Sequence, residues 1–291
     1  MAIIEVQGVE YTHVSDKRVG THAKALDKIT LSIKKGDFVV ILGRNGSGKS
    51  TLARLLNALY LPAAGTVCIH GIDTRDASQL WDVRRMTGMV FPDPDNQIVG
   101  TTVEEDVAFG PENLGLPSAE IVRRVENALQ TVGMADLAGH APHLLIAGEK
   151  QRLALAGILA MQPECIILDE ATAQLDPAGR QEVLTLLRRL NREQGITILH
   201  ITHHMDEAGL ADRVLVLDRG KLVLDGTPDA VFADVARIKE LGLGLPPLTE
   251  LFDLLKLDGF DLPSGILSSE AALEVLRKIY SGRGDDGDQA D

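Results

Sequence analysis

The sequence predicts an α/β protein whose main sheet is largely parallel. Two observations carry that prediction. The runs FVVILG at 38–43, CIILDE at 165–170, ITILHIT at 196–202 and VLVLD at 214–218 are wholly or largely apolar, as strands covered on both faces must be. Helical patterns fall between them, notably STLARLLNAL, GRQEVLTLLRRLNREQ and MDEAGLADR, and strand–helix alternation of this kind builds parallel sheets. A third observation adds a smaller antiparallel part. The opening IIEVQGVEY and the later ALDKITLSIKKG alternate apolar with polar residues, the mark of half-solvated antiparallel strands.

Domain organisation follows from where this alternation breaks. Residues from about 92 to 155 replace it with loops and helices and read as a helical subdomain within a first domain over 1–227. After GTPDAVF, residues 228–283 carry short helical stretches broken by GLGLPPL and GFDLPSG, a small C-terminal domain. The tail 284–291 is Gly/Asp-rich with nothing to bury and is expected to be disordered.

Composition narrows the function classes. With 45% hydrophobic and 24% charged residues the chain is an ordinary globular protein. A net charge of −13 argues against broad binding of a phosphate backbone, so no nucleic-acid partner is expected. Cys68 and Cys165 stand in no metal or redox spacing, and Cys165 opens an apolar run as a small core residue, which suits a reducing cytosolic compartment. There is no signal peptide and no apolar stretch near the roughly 20 residues of a membrane span. Any membrane role is expected to come through a partner.

The stretch GRNGSGKST, from Gly43 through Arg44, Asn45, Gly46, Ser47, Gly48, Lys49 and Ser50 to Thr51, matches G-x-x-x-x-G-K-[ST]. Its glycines let backbone N–H groups face phosphate oxygens without Cβ interference. Lys49 can reach β and γ phosphates, Ser50 can offer its hydroxyl to Mg²⁺, and the following helix adds its N-terminal partial charge. Arg44 and Asn45 supply backbone rather than side-chain chemistry. Asp169 and Glu170 end a buried apolar strand, where α/β sheets place ligands. Asp169 suits a Mg²⁺ ligand held through water, and Glu170 is placed to polarise water attacking a γ-phosphate. His203 follows another buried strand and can orient that water. A metal site built from His200, His203 and His204 is disfavoured, because His200 and His203 would face opposite sides of a strand.

Taken together, GRNGSGKST, CIILDE, AQLDP at 173–177 and THHMDEA resemble the ATP-binding cassette family in order and spacing across residues 1–227. More narrowly, FPDPDNQIVGTTVEEDVAFGPENLGLP at 91–117 and the tail GTPDAVFADVARIKELGLGLPPLTELFDLL resemble the A components of energy-coupling factor importers, including the cobalt- and nickel-type members. The resemblance implies the nucleotide-binding domain of P-loop NTPases, with ATP and Mg²⁺ as cofactors. It also implies an ATP-sandwich pair with a second cassette, identical or not, at the cytoplasmic face of the membrane. Hydrolysis would drive a membrane T component that works with a substrate-capturing S component, so the cargo is not written in this chain. Between Arg85 and Arg123 there is no Lys or Arg but many acids, including Glu104, Glu105 and Glu112, a surface that could steer a basic helix of the T component.

The chain departs from the family pattern in two places. Where the signature has Leu-Ser-Gly-Gly-Gln, it has Leu145, Ile146, Ala147, Gly148 and Glu149. Ile146 offers no hydroxyl to the γ-phosphate, Ala147 adds a Cβ, and Glu149 brings a carboxylate, although at a favourable helix N-terminus. Pro92 stands where the Q-loop glutamine is expected and has neither side-chain amide nor N–H, with Gln97 five residues on as an open substitute. The signature residues, with Asp176 of AQLDP, would contact the partner's ATP, whereas Pro92 belongs to the chain's own site. The adenine platform is His13 by offset from the first strand and Tyr11 by chemistry. Two further readings remain at this stage, a regulatory cassette with impaired hydrolysis and a soluble cassette ATPase of nucleic-acid maintenance.

Overall fold

The computed structural model describes residues 1–13 and 24–283, so the tail 284–291 lies outside the described residues. Strands β1 (Ala2–Thr12) and β2 (Lys24–Lys34) are followed by β3 (Phe38–Leu42), α1 (Lys49–Leu56), β4 (Ala64–Ile69) and β5 (Ile72–Asp73). Next come α2 (Leu80–Met86), β6 (Thr87–Val90) and three helices, α3 (Val103–Asn113), α4 (Ser118–Thr131) and α5 (Ala147–Ala160). The chain then runs through β7 (Cys165–Asp169), α6 (Pro177–Gln194), β8 (Thr197–Ile201), β9 (Arg213–Asp218) and β10 (Lys221–Gly226). It ends in α7 (Pro228–Ala233), α8 (Val235–Glu240), α9 (Pro247–Leu257) and α10 (Ser269–Arg283).

The strands form two sheets. One is four-stranded and antiparallel in the order β2-β1-β4-β5. The other is six-stranded in the order β10-β9-β3-β8-β7-β6, parallel except for β10 at its edge. Every residue of β3, β7 and β8 is buried, which explains their unbroken apolar sequences. Side chains still alternate between faces. Val40, Leu42, Ile166 and Leu168 join the core beneath α3–α6, while Val39, Ile41, Cys165 and Ile167 join the core shared with α1 and the antiparallel sheet. The same alternation turns Asp169 toward α1.

Four strands escape the sequence reading. β4, β5, β6 and β10 are short or contain polar residues and glycine, so they form only because a neighbouring strand offers an edge. MDEAGLADR differs in the other direction. It forms a 3₁₀ segment, Met205–Leu210, rather than an α-helix. The six-residue stretch is short and interrupted by Gly209, and its shape is set by burying Met205, Glu207 and Ala208 rather than by the helix propensity of its Met, Glu, Ala and Leu.

Local chemistry fixes the ends of the elements that carry the site. Helix α6 starts at Asp176, whose carboxylate accepts from Gly179 N–H at 3.0 Å, with Pro177 at its first position, and it stops at Gly195 in the left-handed conformation. Helix α3 opens with a reciprocal capping box between Thr102 and Glu105. Helices α3, α4 and α5 pack on one another, and a separate small core of Phe252, Leu262 and Ala272 holds α9 and α10 together.

Buried Asn191 ties α6 to the turns flanking β3 and β8. Its amide donates to Gly36 O at 2.8 Å and to Ile196 O at 2.9 Å, and Gly36 N–H donates to Thr197 Oγ1 at 3.0 Å. Asn191→Ala leaves both carbonyls without that donor and lowers unfolding stability by about 1–3 kcal/mol in denaturant titration, with nucleotide affinity unchanged.

Candidate nucleotide site

The loop between β3 and α1 is shaped by two glycines that tolerate no side chain. A Cβ on Gly43 would lie 2.4 Å from Leu217 O and 2.5 Å from Ser47 Oγ, and one on Gly48, at φ +106°, 2.6 Å from Ala25 O. Neighbouring strands β9 and β2 therefore impose these glycines, in addition to any need for phosphate to approach. Lys49 is 4% exposed, and its ammonium donates to Gly43 O at 2.8 Å and Arg44 O at 3.2 Å. Arg44 and Asn45 are exposed, and Arg44 runs outward over Gly242.

Ser50 Oγ donates to Asp169 Oδ1 at 2.7 Å, whereas Asp169 Oδ2 is buried with no hydrogen-bond partner. Burial pushes the Asp169 carboxyl above the ordinary range despite the Ser50 hydrogen bond. A buried carboxylate oxygen with a hydroxyl beside it and a lone pair that meets no donor is a fitting place for a hard cation or its water. Among the described residues no group of three or more His, Cys, Asp or Glu side chains could hold a metal.

Glu170 follows at φ +52°, its N–H donating to Ile201 O at 3.0 Å. This left-handed conformation costs a non-glycine residue energy. It turns the carboxylate away from the sheet, 3.6 Å from Lys49 Nζ and 3.8 Å from His203 Nδ1. His203 is half exposed and its ring lies 4.3 Å from that of His204. His200 points the other way into the interior, as the strand alternation predicts.

Of these groups Lys49, Ser50 and Glu170 line a cavity of 380 Å³, together with His13, Asn45, Gly46, Thr51 and Pro92. His13 Nε2 lies 3.1 Å from Thr51 Oγ1. Tyr11 does not reach the cavity. It stacks on Tyr60 with ring centroids 5.1 Å apart and planes within 4°, so offset rather than aromatic strength picks out the residue beside the loop. Gln97 is engaged by backbone instead: its Oε1 accepts from Phe91 N–H at 2.8 Å and its amide faces Met89 O, at the end of β6.

The signature stretch opens α5 with Ile146 at the N-cap, 70% exposed. Isoleucine accepts no hydrogen bond, so only half a capping box forms, from Ile146 N–H to Glu149 Oε2 at 3.0 Å. The Glu149 charge is thus engaged by the helix start. Gly148 lies close to Gly179 in the first turn of α6, which places the stretch beside Asp176. The acidic surface is partly spent on structure as well. Asp106 accepts from Val99 N–H and Gly100 N–H, Asp95 pairs with Lys150 at 2.7 Å, and Glu120 is held near pH 2 by hydrogen bonds from Arg123 and Arg124.

Sequence reasoning missed a group of buried Thr172, His200 and Glu207 with half-buried Arg180, beneath His203 and His204. The cluster HHMDEA was its only signal, because the partners come from three elements.

A phosphate-sized loop closed by its own lysine, against a strained glutamate and a buried aspartate, defines a P-loop ATPase. The family model for ABC transporters matches residues 26–173. The energy-coupling factor transporter ATP-binding protein EcfA1 of Clostridioides difficile is 52% identical over 276 residues, covering 94% of this chain and 99% of that one. Its counterpart from Symbiobacterium thermophilum is 53% identical over 280 residues, covering 96% and 98%. Among solved structures, cbiO1 from Clostridium perfringens, part of the ABC transporter complex cbiONQ, superposes with a TM-score of 0.74 at 38% identity, covering 87% of this chain and 99% of that one. The chain belongs to the ABC transporter family, in the branch of energy-coupling factor ATP-binding subunits. It is an ATP-binding and ATP-hydrolysing transport subunit, and the reading as a nucleic-acid maintenance ATPase is set aside.

Asp169→Asn removes a buried charge that lacks a second partner. Without divalent cation the variant matches or exceeds the parent in thermal stability, but the increment that MgCl₂ adds to the ATP-bound protein disappears. Thermal melts with and without MgCl₂ measure both.

Proposed function

We propose that the chain hydrolyses MgATP at its own loop, within an ATP sandwich closed by a second cassette. The observation that carries this reading is that Lys49, Ser50 and Glu170 line one cavity, with Asp169 held by Ser50 at 2.7 Å and His203 3.8 Å from Glu170 behind them. Lys49 exchanges its two carbonyl partners for β and γ phosphate oxygens. Ser50 and Asp169 would hold Mg²⁺, which supplies charge neutralisation across those phosphates. Glu170 takes the proton of the attacking water as the water oxygen bonds to the γ-phosphorus and the bond to ADP breaks. His203 hydrogen-bonds the γ-phosphate and holds the water in line. His13 packs against the base.

The two departures act on different sites of the pair. Pro92 removes a polar group from the chain's own site but leaves its lysine, acids and histidine. Ile146, Ala147 and Glu149 complete the partner's site without a serine hydroxyl. An asymmetric pair results, in which this chain borrows a better signature than it lends. A binding-only cassette is the second reading, favoured specifically by the exposed Ile146.

Residues 1–227 form the motor in this account and 228–283 an association domain, with Leu251, Leu254, Leu257, Leu273 and Leu276 exposed on α9 and α10. No helix among the described residues is long and apolar enough to cross a membrane. Likeness to the energy-coupling factor subunits supports a motor at the cytoplasmic face, docked on a membrane T component that serves an S component. Glu104, Glu105, Glu112 and Glu126 line a groove between α3 and α4 with Ile121, Val122 and Val125 on its floor, a match for a basic amphipathic helix.

Two experiments test this. In the purified chain, the triple variant Ile146→Ser, Ala147→Gly, Glu149→Gln raises Glu170-dependent MgATP turnover by about tenfold or more, the worth of one hydrogen bond to a charged group. No gain, with ATP still bound, favours the binding-only reading. Glu104→Lys with Glu112→Lys weakens capture of the membrane subunit, and reversing the facing basic residues restores it. Failure of that rescue removes the groove from the docking account.

A further inference from the structure

Beneath His203 and His204, which open the switch segment 203–210, lies a set of buried polar side chains that the reaction does not use directly. His200, Glu207, Thr172 and Thr202 are each no more than 1% exposed. His200 Nε2 lies 2.7 Å from Glu207 Oε2, which also accepts from Thr172 Oγ1 at 3.2 Å. Burial pushes Glu207 upward, but hydrogen bonds from His200, Thr202 and Thr172 outweigh it and hold the carboxyl below the ordinary glutamate range. A carboxylate can only accept, so the His200 proton sits on Nε2.

Arg180 stands above this pair, in the first turn of α6 and one turn beyond the cap Asp176. Its Nη1 donates to His204 Nδ1 at 3.3 Å, which puts the His204 proton on Nε2. Its Nε lies 3.8 Å from Glu207 Oε1, an ion pair but too long for a hydrogen bond. Arg180 Nε, Glu207 Oε1 and His204 Nε2 are all buried without a hydrogen-bond partner. Three such atoms around one guanidinium are costly, and a shift of about 1 Å in the α6 N-terminus would bring Arg180 onto Glu207.

We propose that Arg180 is a positioning residue that couples the first turn of α6 to the switch segment His203–Leu210. This rests on the reading above, in which Glu170 and His203 act on the γ-phosphate and Asp176 faces the second cassette. Closure of that cassette against Asp176 moves the α6 N-terminus inward. Arg180 then completes its bond to Glu207, whose other oxygen is fixed by the buried His200. The same guanidinium holds His204, and through their ring contact His203, at its distance from Glu170. The link reports partner closure to the switch without touching nucleotide.

The test uses the full chain with Arg180→Met and Arg180→Lys. Hydrogen–deuterium exchange of residues 203–210 is measured with MgATP in the Glu170→Gln background, so that this arm does not need turnover. Arg180→Met is expected to speed exchange there by about tenfold, with melting temperature and ATP affinity kept, and Arg180→Lys to recover part of the protection because it keeps one donor. In the Glu170 form, turnover at saturating ATP falls about tenfold in Arg180→Met with half-saturation unchanged. Unchanged exchange in Arg180→Met overturns the coupling, as does an increase spread over the whole chain. Equal turnover in the parent and Glu170→Gln would instead overturn the hydrolysis reading, while the exchange arm still decides the role of Arg180.

Discussion

The buried carboxylate of Asp169 is the constraint on which the site depends. An acid at the end of a fully covered strand is unfavourable unless something answers its charge. Ser50 answers one oxygen and leaves the other without a partner. That single hydrogen bond joins β7 to the start of α1 and so fixes the phosphate loop relative to the acidic strand end. Glu170, the next residue, leaves the sheet through a left-handed conformation that points it at Lys49 and His203. Loop, acid and His203 are thus placed at the ends of three adjacent parallel strands, β3, β7 and β8, with β9 and β2 shaping the loop's glycines.

Much of this was legible in the sequence, for physical reasons. Strands buried on both faces must be continuously apolar, so β3, β7, β8 and β9 could be read directly, and the residues that end them followed. The edge strands β5, β6 and β10, and β4 between β1 and β5, carry no such obligation, and their existence depends on neighbours. The 3₁₀ form of Met205–Leu210 has the same origin, since its shape is set by burying Met205, Glu207 and Ala208. The Tyr11–Tyr60 stack was not legible either, because an aromatic ring serves a Tyr–Tyr stack as readily as a ligand. The hydrogen bonds of Gln97 and Glu149 to nearby backbone were invisible, because side-chain direction at a turn is not encoded in spacing. The group around Arg180 was hidden for a stronger reason: its members are drawn from Thr172, α6, β8 and the 3₁₀ segment, and only the fold brings them together.

The departures from the family signature gain a physical meaning in this setting. Glu149 caps its own helix at Ile146, so the register and start of α5 survive without the serine. What is lost is a hydroxyl at an exposed position facing outward. The chain's own site, by contrast, keeps each group proposed to meet phosphate and loses only the amide at Pro92. On the proposed reading, in which the signature completes a second cassette's site, folding and nucleotide binding at the chain's own loop do not depend on it.

The most direct test of this asymmetry is where product is trapped. In the assembled transporter, a photoreactive ATP analogue is turned over with orthovanadate and the labelled chain identified by peptide mapping. The account predicts label on this chain, near His13 and the 43–51 loop, with little on the second cassette. Label confined to the second cassette, or divided equally, would contradict it.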